Sequence, residues 1–239
     1  MLAALATTVG LLAVACGSTP PQVAARAPAD LILPATDLPD GWAPTELSIP
    51  DLVAGNKPNI DEFARATIAP PFCRPTADAQ LNGRLTPANS AVSAARSSSG
   101  TLVELVTTVG RDITADVATT TGRCARTQTV MGAGAMAGTR VDTEYTTLPD
   151  PEPTDRAVQQ MVLTRSSGQT TLTDGAVSNR IGYAGYAIVD VPAGGTFTMQ
   201  LTVSGAATSA SNPPTPAVAP MDDATFVELF GSALQAATR

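Results

Sequence analysis

The stretch "TFTMQLTVSG", Thr196 to Gly205, alternates without a break. Phe197, Met199, Leu201 and Val203 fall on one side, and Thr198, Gln200 and Thr202 on the other. Successive side chains of a strand point to opposite faces. This is therefore the pattern of an antiparallel sheet with one packed and one wet face. A loop, "SASNPPTPAVAPM", follows, and then a helix that starts at Asp222 or Asp223. Along it Phe226, Leu229, Phe230, Ala233, Leu234 and Ala237 form a continuous apolar stripe. A stripe with two Phe and two Leu has to bury itself against that sheet.

Working back from this pair, further segments read as strands. They are "GTLVELVTTV" from Gly100, "TRVDTEYTTL" from Thr139, "RAVQQMVLTRSS" from Arg156, "GQTTLTDG" from Gly168 and "RIGYAGYAIVDVP" from Arg180. A short helix is expected in "NIDEFARATIAPP". Asn59 would cap it, with Glu62 at the capping-box spacing, and Pro70 and Pro71 would stop it. Cys73 would follow at an exposed corner. A second helix is expected from Asp112 as cap, with Ile113, Val117, Thr120, Cys124 and Thr127 on its inner face. The glycines of "MGAGAMAGT", residues 131–139, read as a helix stop and turn. No Lys-Ser/Thr pair accompanies them, as a phosphate loop requires. Pro39-Asp40-Gly41 is a tight turn, and Trp42 after it reads as a core plug. The fold class expected is α+β: an antiparallel sheet of about five strands, helices packed on one face, and one disulfide.

Composition narrows the chemistry. The 239 residues are 44% hydrophobic and 15% charged, with a net charge of −7 and no basic cluster, which argues against a nucleic-acid partner. The chain has no histidine. Ser-His-Asp and Cys-His catalysis and His-ligated metal are therefore excluded. Lys57 is the only lysine and has no SxxK spacing around it. The carboxylate pairs Asp61/Glu62, Asp150/Glu152 and Asp222/Asp223 stand at helix starts or in Pro-rich turns, where capping and solvation account for them. No catalytic residue, metal site or cofactor is expected.

The three cysteines are Cys16, Cys73 and Cys124. Residues 2–15, "LAALATTVGLLAVA", are apolar and uncharged, too short to span a bilayer but of the length of a signal-peptide core. "AVAC" followed by Gly17 and Ser18 resembles a bacterial lipobox, where cleavage leaves a lipid-bearing cysteine first. The resemblance implies a signal peptide over 1–15, lipidation of Cys16, a flexible tether over 16–30 and a single α+β domain over 31–239. The other reading makes Cys16 a core thiol in an apolar helix. The Pro-rich, aperiodic "GSTPPQVAARAPAD" that follows suits a tether better. With Cys16 lipidated, Cys73 and Cys124 remain to pair in an oxidising compartment.

The lipobox-like "AVAC", the "LPATDLPDGW" segment, the cysteine pair and the closing amphipathic helix together resemble secreted lipoproteins of mycobacteria and related actinobacteria. Within these, the order of elements is similar to the extracellular sensor domain of mycobacterial receptor-type Ser/Thr kinases. A Mog1/PsbP-like fold is the second resemblance. They imply a non-enzymatic ligand-binding or sensor-type domain, lipid-anchored on the extracytoplasmic face of the cell membrane. Its partners would be the membrane and a small apolar ligand or an envelope protein. The alternative is a carrier of an apolar envelope molecule, and the third reading a carboxylate-dependent envelope hydrolase.

Overall fold

The computed structural model describes residues 26–134, 136–152, 157–191 and 195–238. Cys16, the signal peptide and most of the tether lie outside the described residues. The chain runs through β1 (Ala43–Thr45), α1 (Ile49–Ala64), β2 (Thr67–Ala69), α2 (Ala77–Asn82), β3 (Ser90–Arg96), β4 (Gly100–Thr107) and α3 (Ile113–Thr120). It continues through β5 (Arg126–Val130), β6 (Arg140–Thr147), β7 (Val158–Thr171), β8 (Val177–Val191), β9 (Gly195–Gly205) and α4 (Asp223–Thr238). All strands join one sheet of nine, ordered β1-β3-β4-β9-β8-β7-β6-β5-β2, and every pairing is antiparallel.

The α+β class and the antiparallel sheet are as expected, but the strand count is nine, not about five. β1 and β2 are three residues each, and β3 and β5 lack a clean alternation, so none of them stands out as a pattern. The two strands expected at 156–175 are a single strand, β7, which runs through Gly168. The first helix starts ten residues earlier than Asn59, capped by Ser48, whose Oγ accepts from the Asp51 N–H. It passes through Pro58 on a solvent-exposed turn, where the lost backbone bond can be replaced by water. Ile68, expected on that helix, is buried in β2. The second helix stops at Thr120, and Gly122, at φ +57°, turns the chain into a separate 3-10 turn that carries Cys124. The glycine-rich 131–139 segment joins β5 to β6 and does not follow a helix.

α4 lies against one face of the sheet. Its expected stripe is its buried stripe, residue for residue. Phe197, Met199, Leu201 and Val203 of β9 meet it and are at most 1% exposed. Gly185 of β8 is the point of closest approach, since a Cβ there would stand 2.5 Å from the Phe230 ring. Trp42 is half-buried against this core, as expected.

The opposite face was expected to be wet. It is covered instead. Ile49, Leu52 and Val53 of α1 and Leu81 of α2 pack with Leu105 of β4, which points away from its neighbours on the α4 side. α3 packs on β7 and β8 from this same side. Helices therefore flank both faces. Thr198 tolerates the cover because its Oγ1 donates to the Val109 carbonyl at 2.8 Å and accepts from the Arg111 N–H at 3.2 Å.

Cys73 and Cys124 form the disulfide, 5.4 Å apart at Cα. Cys73 is buried, at 1% exposure, where an exposed corner was expected, because 3-10 turns fold both cysteines inward. The exposed member is its neighbour Phe72, whose ring meets the Arg123 guanidinium at 4.6 Å.

Glu104 is fully buried, with Leu102 and Val106 alongside, on the α4 side of β4. Both its oxygens accept from the Leu33 N–H, at 3.2 and 3.0 Å, and Oε2 also accepts from Ser93 Oγ. Burial outweighs these bonds and pushes its pKa up to about 7. An acid with a raised pKa binds its proton more tightly in the folded chain. Stability therefore falls as pH rises from about 4.5 to about 7 and is level above that.

Two outcomes are expected. Thermal unfolding of the wild type between pH 4.5 and 8 should show that fall, on the order of 3 kcal/mol, and Glu104→Gln should flatten it. A slope unchanged by the substitution would mean that other groups set it. The double variant Cys73→Ser/Cys124→Ser should lose about 4 kcal/mol in urea unfolding, the loop-closure value for a separation of 51 residues. A loss below about 1 kcal/mol would contradict that account.

Candidate functional site

Between the helical layer and the sheet runs a cleft with β4, β9, β8, β7 and β6 as its floor. Leu105, Gln200 and Tyr186 lie abreast on β4, β9 and β8. One row further lie Val103, Thr202 and Ala184, and then Ser204, Gly182, Ser166 and Tyr145. α1 and α2 wall a first chamber of about 250 Å³, lined by Leu52, Ile60, Leu81 and Leu105 with Asn56, Asn59, Asn82 and Gln200. α2 and α3 wall a second of about 240 Å³, richer in hydroxyls from Thr119, Thr120, Thr164, Ser166 and Tyr145. The small residues Gly182 and Ala184 leave its floor open. An outer hollow of about 420 Å³ lies between Phe63 of α1 and Arg74 and Pro75, just before α2. Asp78 lines all three spaces.

Asp78 is held there by Arg111, from the loop between β4 and α3. The Arg111 Nε donates to Asp116 Oδ2 at 2.6 Å, and Nη2 donates to Asp116 Oδ1 at 2.9 Å. Its Nη1 donates to Asp78 Oδ1 at 2.7 Å and to Gln200 Oε1 at 3.1 Å. The guanidinium lies 3.8 Å from the centre of the Tyr186 ring. The Arg111 and Asp116 side chains are 2% and 8% exposed, while that of Asp78 is 65% exposed.

The electrostatics follow from burial. Burial works against the charge of Arg111, but the Tyr186 ring and the two carboxylates outweigh it, and its pKa is raised. Burial raises Asp116, and Arg111 offsets part of that rise. Burial also raises Tyr186, against the opposing pull of Arg111, and raises Tyr145, with a further push from Asp78. The tyrosines therefore stay neutral hydroxyls at pH 7. Among the described residues, no group of three or more Cys, Asp or Glu is placed to hold a metal ion.

None of the expected site residues lies in the cleft floor. Cys16 is outside the described residues. The disulfide links the turn before α2, at Cys73, to the turn after α3, at Cys124, and so joins the elements that carry Asp78 and Asp116. Arg111, Asp116, Asp78 and Tyr186 were not singled out from the sequence, and Gln200 was read only as a wet-face residue of its strand. One trace was present. In "GRDITAD" an arginine precedes the capping Asp112, and a second acid falls in the first turn. Asp112 does cap α3, accepting from the Ala115 N–H at 2.9 Å.

Removing one member of a buried pair leaves the other charge unmatched, which costs about 3–5 kcal/mol. Arg111→Met and Asp116→Leu should each destabilise by about that much in urea unfolding. The double variant should lose clearly less than the sum. Strict additivity would show that the two side chains act independently.

No family model matches the sequence, and no curated protein matches it. Among solved structures, the chain is similar to an uncharacterized protein of Mycobacterium smegmatis, an Rv0999 ortholog. The TM-score is 0.45 and the identity 15%, over 84% of this chain and 92% of that one.

Proposed function

We propose that this protein is a non-enzymatic ligand-binding or sensor-type domain, tethered by a lipid on Cys16 to the extracytoplasmic face of the cell membrane. The observation that carries the binding role is the cleft, whose apolar walls surround a few fixed polar groups. Ligand sites are built in this way. The first chamber, about 250 Å³, falls below the ~300–1,000 Å³ of drug-sized pockets, which suits a small ligand better than a long-chain lipid. Arg111, Asp116 and Gln200 are locked in mutual bonds, an arrangement suited to orienting a ligand. The anchor rests on the lipobox-like "AVAC" and the tether composition after it. Among the described residues, no helix is long and apolar enough to cross a membrane.

Two measurements test the two halves. Radiolabelled palmitate should enter the wild type in its own host and not Cys16→Ala, and an unlabelled wild type would remove the anchor. Saturation-transfer NMR with 1-hexanol should give a saturable signal that Asn56→Trp abolishes, because Asn56 is an exposed residue lining the first chamber. Absence of binding to the wild type, or binding unaffected by this block, would remove the cleft from consideration.

A further inference from the structure

The polar groups around the cleft differ in what they have left to offer. A guanidinium has five N–H donors, and Arg111 directs four hydrogen bonds to Asp116, Asp78 and Gln200. Its side chain is 2% exposed, so it does not meet an incoming anion. Arg74, at the outer hollow, gives Nη1 to the Phe63 carbonyl and Nη2 to the Ala66 carbonyl. Arg111 is thus committed to the protein itself, whereas half-buried Arg74 spends two of its five donors on backbone carbonyls.

Asp78 is the opposite case. Only Oδ1 is engaged, by Arg111, and Oδ2 has no partner among the described residues. With 65% of its side chain exposed, the carboxylate keeps an acceptor open at the point where the three spaces meet. Around Arg111 the balance is two carboxylates, Asp78 and Asp116, against one guanidinium, and Arg74 lines the outer hollow alone. Among the described residues Asp78 is the one charged side chain lining the first chamber, where an anion meets like charge and a cation an unfilled acceptor. Beside this acceptor the first chamber offers an apolar surface from Leu52, Ile60 and Leu105.

We propose that the cleft recognises an amphiphilic amine, with its ammonium group on Asp78 and its apolar part against Leu52, Ile60 and Leu105. The inference rests on the ligand-binding reading above and adds the chemical class. With Asp78 this exposed, the ion pair is solvent-screened and gives a preference of up to about fivefold over an uncharged analogue.

The test uses n-hexylamine, 1-hexanol and hexanoate at pH 7, where the amine is a cation and the acid an anion, with affinities from NMR titration. The expected result is that hexylamine binds about threefold to fivefold more tightly than hexanol, and hexanoate more weakly than either. Asp78→Asn keeps an oxygen for Arg111 and should bring hexylamine down to the hexanol value while leaving hexanol unchanged. Hexanol binding with no amine preference, or a preference that survives Asp78→Asn, overturns the amine assignment and leaves the cleft as a binding site. Binding of none of the three overturns both.

Discussion

Arg111 is a permanent positive charge in a place that water hardly reaches, and the fold is arranged around keeping it matched. Such a charge is tolerable only when paired and hydrogen-bonded. Its partners come from four different elements: Asp116 from α3, Asp78 from α2, Gln200 from β9 and the Tyr186 ring from β8. Each of those elements is fixed relative to the others through one side chain. The disulfide links the turns next to the same pair of helices. A polar clamp therefore spaces α2 and α3 over the sheet, while α1 rests on the apolar cluster around Leu105.

β8 shows how one strand serves two purposes. Gly185 lets the Phe230 ring settle directly on the backbone, which brings α4 close and closes that face. Gly182 and Ala184 point to the other face, where nothing as large comes down, and they become part of the floor of the second chamber. Small residues on both sides of the same strand thus give tight packing on one face and free volume on the other. What differs is the opposing layer, an aromatic stripe on α4 against threonines on α3.

The legible and illegible parts of this molecule divide along physical lines. α4 and the packed side of β9 were readable because an unbroken apolar stripe has a single stable use, burial. The Thr198–Gln200–Thr202 side of β9 was misleading because polarity was taken for exposure. Thr198 is covered and bonded to Val109 and Arg111, while Gln200 and Thr202 are half-buried along the cleft, bonded to Arg111 and Val103. The edge strands β1 and β2 are too short for any period to show, and the first half of α1, before Asn59, was not read as helix. The cysteine pair was accessible by counting. The cleft was not, because its members are spread from residue 52 to residue 204 and only the strand register brings them together.

The order of the strands governs how the chain can reach this state. β4 lies between β3, its neighbour in sequence, and β9, which follows it by about a hundred residues: Gly100 pairs with Gly205 and Val103 with Thr202. Emerging N-terminus first, the chain presents β1, β3 and β4 as a ribbon with one unmatched long edge until nearly all of the rest has appeared. Pairings of such sequence separation are slow to find, and an open edge of this kind invites wrong partners in the interval. Gln200 arrives on that same late strand, so Arg111 also waits for its last acceptor. The final strand and the helix after it therefore act as the closing step of assembly, which makes the C-terminal third the part whose truncation the rest can least survive.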